Sequence, residues 1–246
     1  MNLIENTPRL RMFAGPNGSG KTTIKSVLNR SLLGMYINPD EIEKEIKNDD
    51  FLDFSQYAIE TNEEEVLSFF QASKLLEKDD LAEEAEYLRF NKNRLSFFEV
   101  IINSYFASVA SDFIRQKLLL SHQSFTFETV MSSKDKISFL AKAQQFGYQS
   151  YLYYVATDDP LINISRVKYR VRMGGHDVPE EKIKSRYYRS LDFLSEAVKF
   201  TNRAYIFDNS GSEAKCIAEI IDGKEFEIKT DYYPNWVKTY LLDKFN

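Results

Sequence analysis

The chain has 246 residues, 43% of them hydrophobic and 28% charged, with a net charge of −5. That is enough for one α/β domain with insertions, or for two small ones, around a substantial core. A single cysteine, Cys216, excludes an internal disulfide and reads as a buried strand residue, while two histidines are too few to suggest a metal centre. Met1 to Pro8 includes Glu5 and has no apolar stretch of signal-peptide length, and no later run is long enough to span a bilayer, so the expectation is a cytoplasmic protein without membrane contact.

The charge is unevenly spread. Residues 51–100 hold 12 acidic and five basic residues, whereas Arg166 to Arg189 holds eight basic against three acidic. The basic segment suits phosphates of a nucleotide, a sugar nucleotide or a nucleic acid, and the overall acidity weighs against general nucleic-acid binding.

The first predicted element is a short strand carrying Leu10, Met12, Phe13 and Ala14. It delivers Gly15-Pro16-Asn17-Gly18-Ser19-Gly20-Lys21-Thr22, which fits the phosphate-loop pattern G-x-x-x-x-G-K-[ST] at every specified position. Glycines let such a loop curl so that its N–H groups face phosphate oxygens at a helix N-terminus. In that pattern Lys21 reaches the β/γ-phosphates and the Thr22 hydroxyl ligates Mg²⁺. Ile24, Val27, Leu28 and Leu32 then recur at helical spacing, and strand, loop and helix together predict nucleotide binding.

A second strand, Gly34 to Asn38, ends in Pro39-Asp40-Glu41. A carboxylate just past a strand end is where α/β folds present catalytic groups, although an acid after a proline also favours a helix N-terminus. From about 41 to 121 the pattern is mostly helical. Val66, Phe69, Phe70 and Leu76 suggest one helix, Asp80 with Glu83 a capping pair, and Phe98, Ile102, Tyr105, Val109 and Phe113 the clearest amphipathic stripe. The length of this section predicts a helical insert, acidic over residues 51–100.

Ser124 to Glu128 is the third predicted strand. Its terminal Glu128 is placed to support Mg²⁺ through water or to hold substrate hydroxyls, or it is simply a solvated acid. Ser132 or Ser133 caps a helix that stops near Gly147. Tyr151 to Ala156 forms a fourth strand, and Thr157-Asp158-Asp159-Pro160 starts a helix expected to bury Leu161, Ile164, Val167 and Val171. That helix carries Arg166 with Arg170 on one flank and Lys168 with Arg172 on the other, charges suited to a transferring phosphoryl group. Met173-Gly174-Gly175-His176-Asp177-Val178-Pro179 breaks it in a way that suits a lid, with His176 in reach of phosphate or substrate. His122 reads as a surface residue. A helix over about 180–200 turns Ile183, Tyr187, Leu191, Leu194 and Val198 inward and sets Lys182, Arg186 and Arg189 on another face. The fifth strand, Tyr205 to Phe207, leads into Asp208-Asn209-Ser210-Gly211, a loop suited to lie beside the adenine. A hairpin and a final helix after Pro234 close the chain.

These motifs resemble the zeta-toxin group of phosphate-loop kinases. The resemblance rests on Gly15 to Thr23, Asn38-Pro39-Asp40-Glu41-Ile42, Phe127-Glu128-Thr129, Arg170 to Pro179, Arg186-Tyr187-Tyr188-Arg189-Ser190-Leu191 and Asp208-Asn209-Ser210. It implies a three-layer α/β kinase fold with a mostly parallel five-stranded sheet. It also implies ATP and Mg²⁺ as cofactors, a nucleotide sugar such as UDP-N-acetylglucosamine as acceptor, and a helical antitoxin as partner. By that resemblance Gly15, Pro16, Asn17, Gly18, Ser19, Gly20, Lys21, Thr22 and Thr23 bind ATP, with Thr22 on the metal. Asp40 takes the hydroxyl proton, and Arg170 and Arg172 serve the transferring phosphate beside Lys21. Glu128, Thr129, His176 and Arg186 face the acceptor. The chain departs from the sugar-nucleotide kinases after Glu128, where Thr129-Val130-Met131 follows, and its acidic stretch 51–100 has no clear counterpart. The expected organisation is a single phosphate-loop kinase domain over 1–246, with the acidic helical insert at 51–100 and a hairpin-plus-helix extension at 212–246. The competing readings are a nucleotide-dependent switch that hydrolyses ATP and a kinase acting on nucleic-acid ends.

Overall fold

The computed structural model describes residues 7–26, 28–175 and 177–245, so Val27 of the predicted helical stripe and His176 lie outside the described residues. In chain order the elements are β1 (Arg9–Ala14), α1 (Lys21–Ser26), β2 (Met35–Ile37), α2 (Pro39–Asp49), β3 (Phe51–Asp53), α3 (Glu63–Gln71), α4 (Lys74–Lys78), β4 (Arg89–Asn91), β5 (Arg94–Ser96) and α5 (Ser104–Leu120). They continue as β6 (Phe125–Thr129), α6 (Asp135–Gln145), β7 (Gln149–Ala156), α7 (Pro160–Arg172), α8 (Glu180–Asp192), α9 (Leu194–Val198), β8 (Arg203–Asp208), β9 (Lys215–Ile221), β10 (Glu225–Ile228) and α10 (Asn235–Tyr240). They form two compact units: Met1–Gly34 with Ser124–Asn246, and Met35–Gln123.

In the first unit the strands lie in the order β10-β9-β8-β7-β1-β6. β6, β1, β7 and β8 run parallel, which requires crossover connections, while the β9–β10 hairpin adds antiparallel strands beyond β8. Alternation of side chains sorts this sheet into two faces. On one, Phe13, Tyr153 and Tyr205 stack across three neighbouring strands, with ring centroids 4.7 and 5.1 Å apart, and Ile24 of α1 packs on the same cluster. On the other, Phe127 meets Phe139 of α6 at 5.7 Å, and the buried Tyr154 meets Trp236 of α10 at 6.2 Å and the Ser190 hydroxyl of α8 at 3.0 Å. Helix, sheet and helices make the three layers that the resemblance implies, with a mostly parallel sheet.

The second unit holds α2, α3, α4 and α5 with a small antiparallel sheet in the order β3-β5-β4. The strands correct the reading of this region as mostly helical. β4 and β5 are joined by the two residues Lys92 and Asn93, both at positive φ (49° and 62°), a hairpin turn made without glycine. Asn93 secures that turn by donating to the Ile59 carbonyl (2.7 Å) and the Ser55 hydroxyl (3.1 Å). Asp53 and Arg94 face each other in the β3–β5 register at 2.8 Å, and the guanidinium hydrogen bond holds the Asp53 carboxyl below its ordinary range. Phe113 of α5 collects Phe54 at 5.3 Å and Phe69 at 5.2 Å into the core.

Other expectations shift locally. Leu76 lies in α4, separated from α3 by Ser73, whose hydroxyl caps the new helix. Glu83 precedes only a 3₁₀ turn, Glu84–Tyr87, without a side-chain cap. Phe98 and Ile102 precede α5, whose N-cap is Asn103, and Phe98 is exposed. At the start of α6 neither Ser132 nor Ser133 is the cap: Lys134 stands there, and the Ser133 hydroxyl bonds Asp135. Leu161 lies on the outward side of α7 and is exposed, while Pro160, Asn163, Ile164 and Val167 face inward and are buried. Cys216 is half-buried in β9, and burial pushes its thiol up.

Candidate functional site

The phosphate loop leaves β1 and enters α1, and neighbouring elements of the first unit grip it at three points. A Cβ on Gly15 would stand 2.0 Å from the Val155 carbonyl oxygen of β7. One on Gly18 would stand 2.6 Å from the Asn163 carbonyl oxygen of α7, and one on Gly20 would stand 2.2 Å from Asn209 Nδ2 beyond β8. Only glycine permits these approaches, and the loop backbone takes φ values of 141°, 74° and 95° at the three positions. Two asparagine amides complete the grip. Asn163 Nδ2 donates to the Asn17 carbonyl at 2.6 Å, and Asn209 Nδ2 donates to the Ser19 carbonyl at 2.7 Å.

Both asparagines are themselves held, one by its side chain and one by its main chain. The Thr157 hydroxyl donates to Asn163 Oδ1, and the Asn209 N–H donates to the Ala156 carbonyl at 2.8 Å. Tyr187 of α8 donates to the Thr157 carbonyl at 2.6 Å, and burial pushes its phenol up, so it remains a donor. Thr157 and Asn163 are fully buried and Asn209 nearly so. In the sequence Thr157 reads as part of a helix start and the 208–211 loop as suited to the adenine, and Asn163 carries no motif. The available signal was a polar residue on the inward face of α7 beside Ile164 and Val167, since buried amides are there to be hydrogen-bonded.

Lys21 donates its ammonium to the Gly15 and Pro16 carbonyls at 2.8 and 3.1 Å, across its own loop. Thr22 Oγ1 lies 3.4 and 3.5 Å from the two carboxylate oxygens of Glu128, and Lys25 Nζ is 3.9 Å from Glu128 Oε1. The strand register explains this meeting. Glu128 pairs with Phe13, so it shares the face that α1 covers and ends β6 beside the loop. A hydroxyl and a carboxylate are the hard oxygen donors that suit Mg²⁺. Within the loop, Asn17 Oδ1 and Ser19 Oγ are buried and have no hydrogen-bond partner among the described residues. Thr23 continues into α1, with its N–H donating to the Gly20 carbonyl at 3.0 Å.

Thr129 is used locally: its hydroxyl accepts from the Met131 N–H at 3.1 Å and fixes the turn after β6. Arg170 and Arg172 form the last turn of α7, Arg172 exposed and Arg170 half-buried. The Arg170 side chain passes over Gly175, where a Cβ would stand 2.6 Å from Arg170 Cγ. Arg186 is half-buried on α8, and the expectation for His176 falls outside the described residues. In the second unit, Asp40 is exposed in the first turn of α2, where Asn38 caps the helix by accepting from the Asp40 N–H at 2.9 Å. Both sequence readings of Asp40, strand end and helix start, thus describe the same place in the chain.

The family model for zeta toxin matches residues 102–216, a span that takes in Glu128, the arginine-bearing α7 and Asn209. Over that span the chain is similar to zeta toxin. The loop itself and Asp40 lie N-terminal to the matched span. An uncharacterised protein of Haemophilus influenzae is 33% identical over 66 residues, 27% of this chain and 47% of that protein. Among solved structures, one from the PezAT chromosomal toxin–antitoxin system of Streptococcus pneumoniae superposes with a TM-score of 0.51 at 15% identity, covering 97% of this chain and 80% of that one. The AvrRxo1-ORF1:AvrRxo1-ORF2 complex with sulphate ions gives a TM-score of 0.54 at 15% identity, and the complex with ATP gives 0.52 at 16%, each covering 91% of this chain and 61% of that one. This chain therefore spans about half the Haemophilus protein and under two thirds of the AvrRxo1 chain. At these identities the likeness is one of fold, an α/β fold with a mostly parallel central sheet. Among the described residues no helix is long and apolar enough to cross a membrane.

Proposed function

We propose that this zeta-toxin-like chain is an ATP- and Mg²⁺-dependent phosphotransferase that moves the γ-phosphoryl group to a hydroxyl of a small acceptor. A nucleotide sugar such as UDP-N-acetylglucosamine is the first acceptor to test, and an antitoxin protein is the partner the same reading calls for. The observation that carries the proposal is the Thr22 hydroxyl 3.4 Å from the Glu128 carboxylate, at the end of a loop gripped on three sides. The likeness to a complex solved with ATP and to a chain of a toxin–antitoxin system supports it.

In this reading Gly15 to Thr23 bind the nucleotide, and Thr22 with Glu128 holds Mg²⁺, which neutralises phosphate charge when bound. Lys21, Arg170 and Arg172 stabilise charge on the transferring group. Asp40 accepts the acceptor hydroxyl's proton as that oxygen bonds to the γ-phosphorus and the β,γ-bridging bond breaks, releasing ADP. Thr129, His176 and Arg186 belong to the acceptor side. The whole chain, 1–246, acts as one kinase, with 51–100 as its acidic insert and 212–246 as its extension.

The test is transfer of labelled phosphate from ATP with Mg²⁺ into a metabolite extract, with the product identified by mass. Asp40→Ala is expected to lower transfer by about 10² to 10⁴ and to leave ATP affinity unchanged. Phosphate release that ignores Asp40, with no labelled acceptor, would instead favour the ATP-hydrolysing switch.

A further inference from the structure

We infer that Asn163 and Asn209 are positioning residues that aim the loop's own N–H groups at the nucleotide phosphates. The inference rests on the ATP reading above and adds the device that makes the loop competent. A trans peptide unit points its carbonyl and the following N–H in opposite directions. Asn163 holds the Asn17 carbonyl, so the Gly18 N–H points away from Asn163; Asn209 holds the Ser19 carbonyl, so the Gly20 N–H points away from Asn209. The two bonded carbonyls are two residues apart, and the two N–H groups they orient are likewise two apart, with the loop backbone between the clamps.

The glycines belong to the same device. Gly18 and Gly20 are the residues whose N–H groups are aimed, and each presses its Cα against the clamp beside it, with room for a Cβ at neither. The clamps come from separate elements, α7 and the turn after β8, so the loop is pinned from both flanks in addition to its own turn, in which the Ser19 N–H donates to the Pro16 carbonyl at 3.2 Å. Both residues are buried: the Asn163 amide is oriented by the Thr157 hydroxyl, and Asn209 is anchored through its main-chain N–H, which donates to the Ala156 carbonyl. Preorganised donors of this kind lower the cost of ordering the loop when phosphate binds.

The test is calorimetric titration of MgATP, and separately of adenosine, into the full chain and into Asn163→Ala, Asn209→Ala and the milder Thr157→Val, with circular dichroism to confirm folding. Each alanine variant is expected to weaken MgATP binding about five- to tenfold, the worth of one buried hydrogen bond, and Thr157→Val less, in the same direction. Adenosine binding should not change, and KM for ATP should rise more than kcat falls. Folded variants with wild-type MgATP affinity and only a lowered melting temperature would overturn the clamp while leaving the ATP reading intact. A wild-type chain that binds no MgATP would overturn that reading and the clamp with it. If the alanine variants do not fold, Thr157→Val decides alone, and wild-type affinity there counts against the clamp.

Discussion

The phosphate loop and the turn after α7 are both built on glycine, and they use it for opposite ends. In the phosphate loop Gly18 and Gly20 stand where a methyl would lie 2.6 and 2.2 Å from neighbouring atoms, so glycine there lets other elements seize the backbone. At the end of α7, Gly174 takes φ 84° with nothing within 4 Å of its would-be Cβ, so glycine there serves only the left-handed closure of a helix. Gly175 lies between the two cases, pressed by a single residue, Arg170, through its side-chain stem and its carbonyl oxygen. The same residue type thus makes a held cradle, a seat for a cation and a helix stop, and the surroundings decide which.

The largest effect is expected at the cradle. Gly20→Ala puts a methyl into Asn209 Nδ2 and forces alanine to φ 95°. Backbone strain alone costs about 1–2 kcal/mol, so MgATP affinity should fall at least about fivefold, read by calorimetric titration. Unchanged affinity would mean that the loop tolerates displacement from its clamp, and the contrast with Gly174 would collapse. A smaller effect is expected at the seat. Gly175→Ala brings a methyl to 2.6 Å from Arg170 Cγ and 3.0 Å from the Arg170 carbonyl oxygen, so the side chain must swing. Turnover should drop about tenfold, with ATP affinity held within about twofold, because a misplaced cation weakens the transition state more than the ground state. Equal losses in both would place Arg170 on the bound nucleotide rather than on the transferring group.

Much of this was legible in the chain itself. The loop pattern, the apolar strand before it, the proline-led helix start at Pro39 and the aspartate-proline start at Asp159 depend on local chemistry, and each appears where its residues predict. The clamps could not be read the same way. Asn163 and Asn209 meet Asn17 and Ser19 across 146 and 190 positions of sequence, and only the parallel order of β1, β7 and β8 brings them together. The β4–β5 hairpin stayed hidden for a local reason. Its turn uses Lys92 and Asn93 at positive φ in place of the usual glycine, and each strand is only three residues long, too short for alternation to show. Glu128 was found as a strand-end acid, yet its pairing with Thr22 follows from the β1–β6 register, which no spacing within β6 reveals.

The smallest effect is expected at Gly174, and it is the one that separates a stop from a hinge. The Gly174 N–H donates to the Val171 carbonyl and the Gly175 N–H to the Arg170 carbonyl, both at 2.9 Å, the bonds of a helix closed by a left-handed residue. Alanine meets no atom there and bears only the strain of φ 84°. Gly174→Ala should therefore cost about 1 kcal/mol, a few degrees of melting temperature for a chain of this size, with turnover within about twofold of wild type. Gly174→Asn should recover part of that loss, since asparagine tolerates the left-handed region. If Gly174→Ala instead keeps its melting temperature and loses turnover, the turn must leave its closed form during each cycle. The glycine after α7 would then act by moving, while those of the loop act by being held.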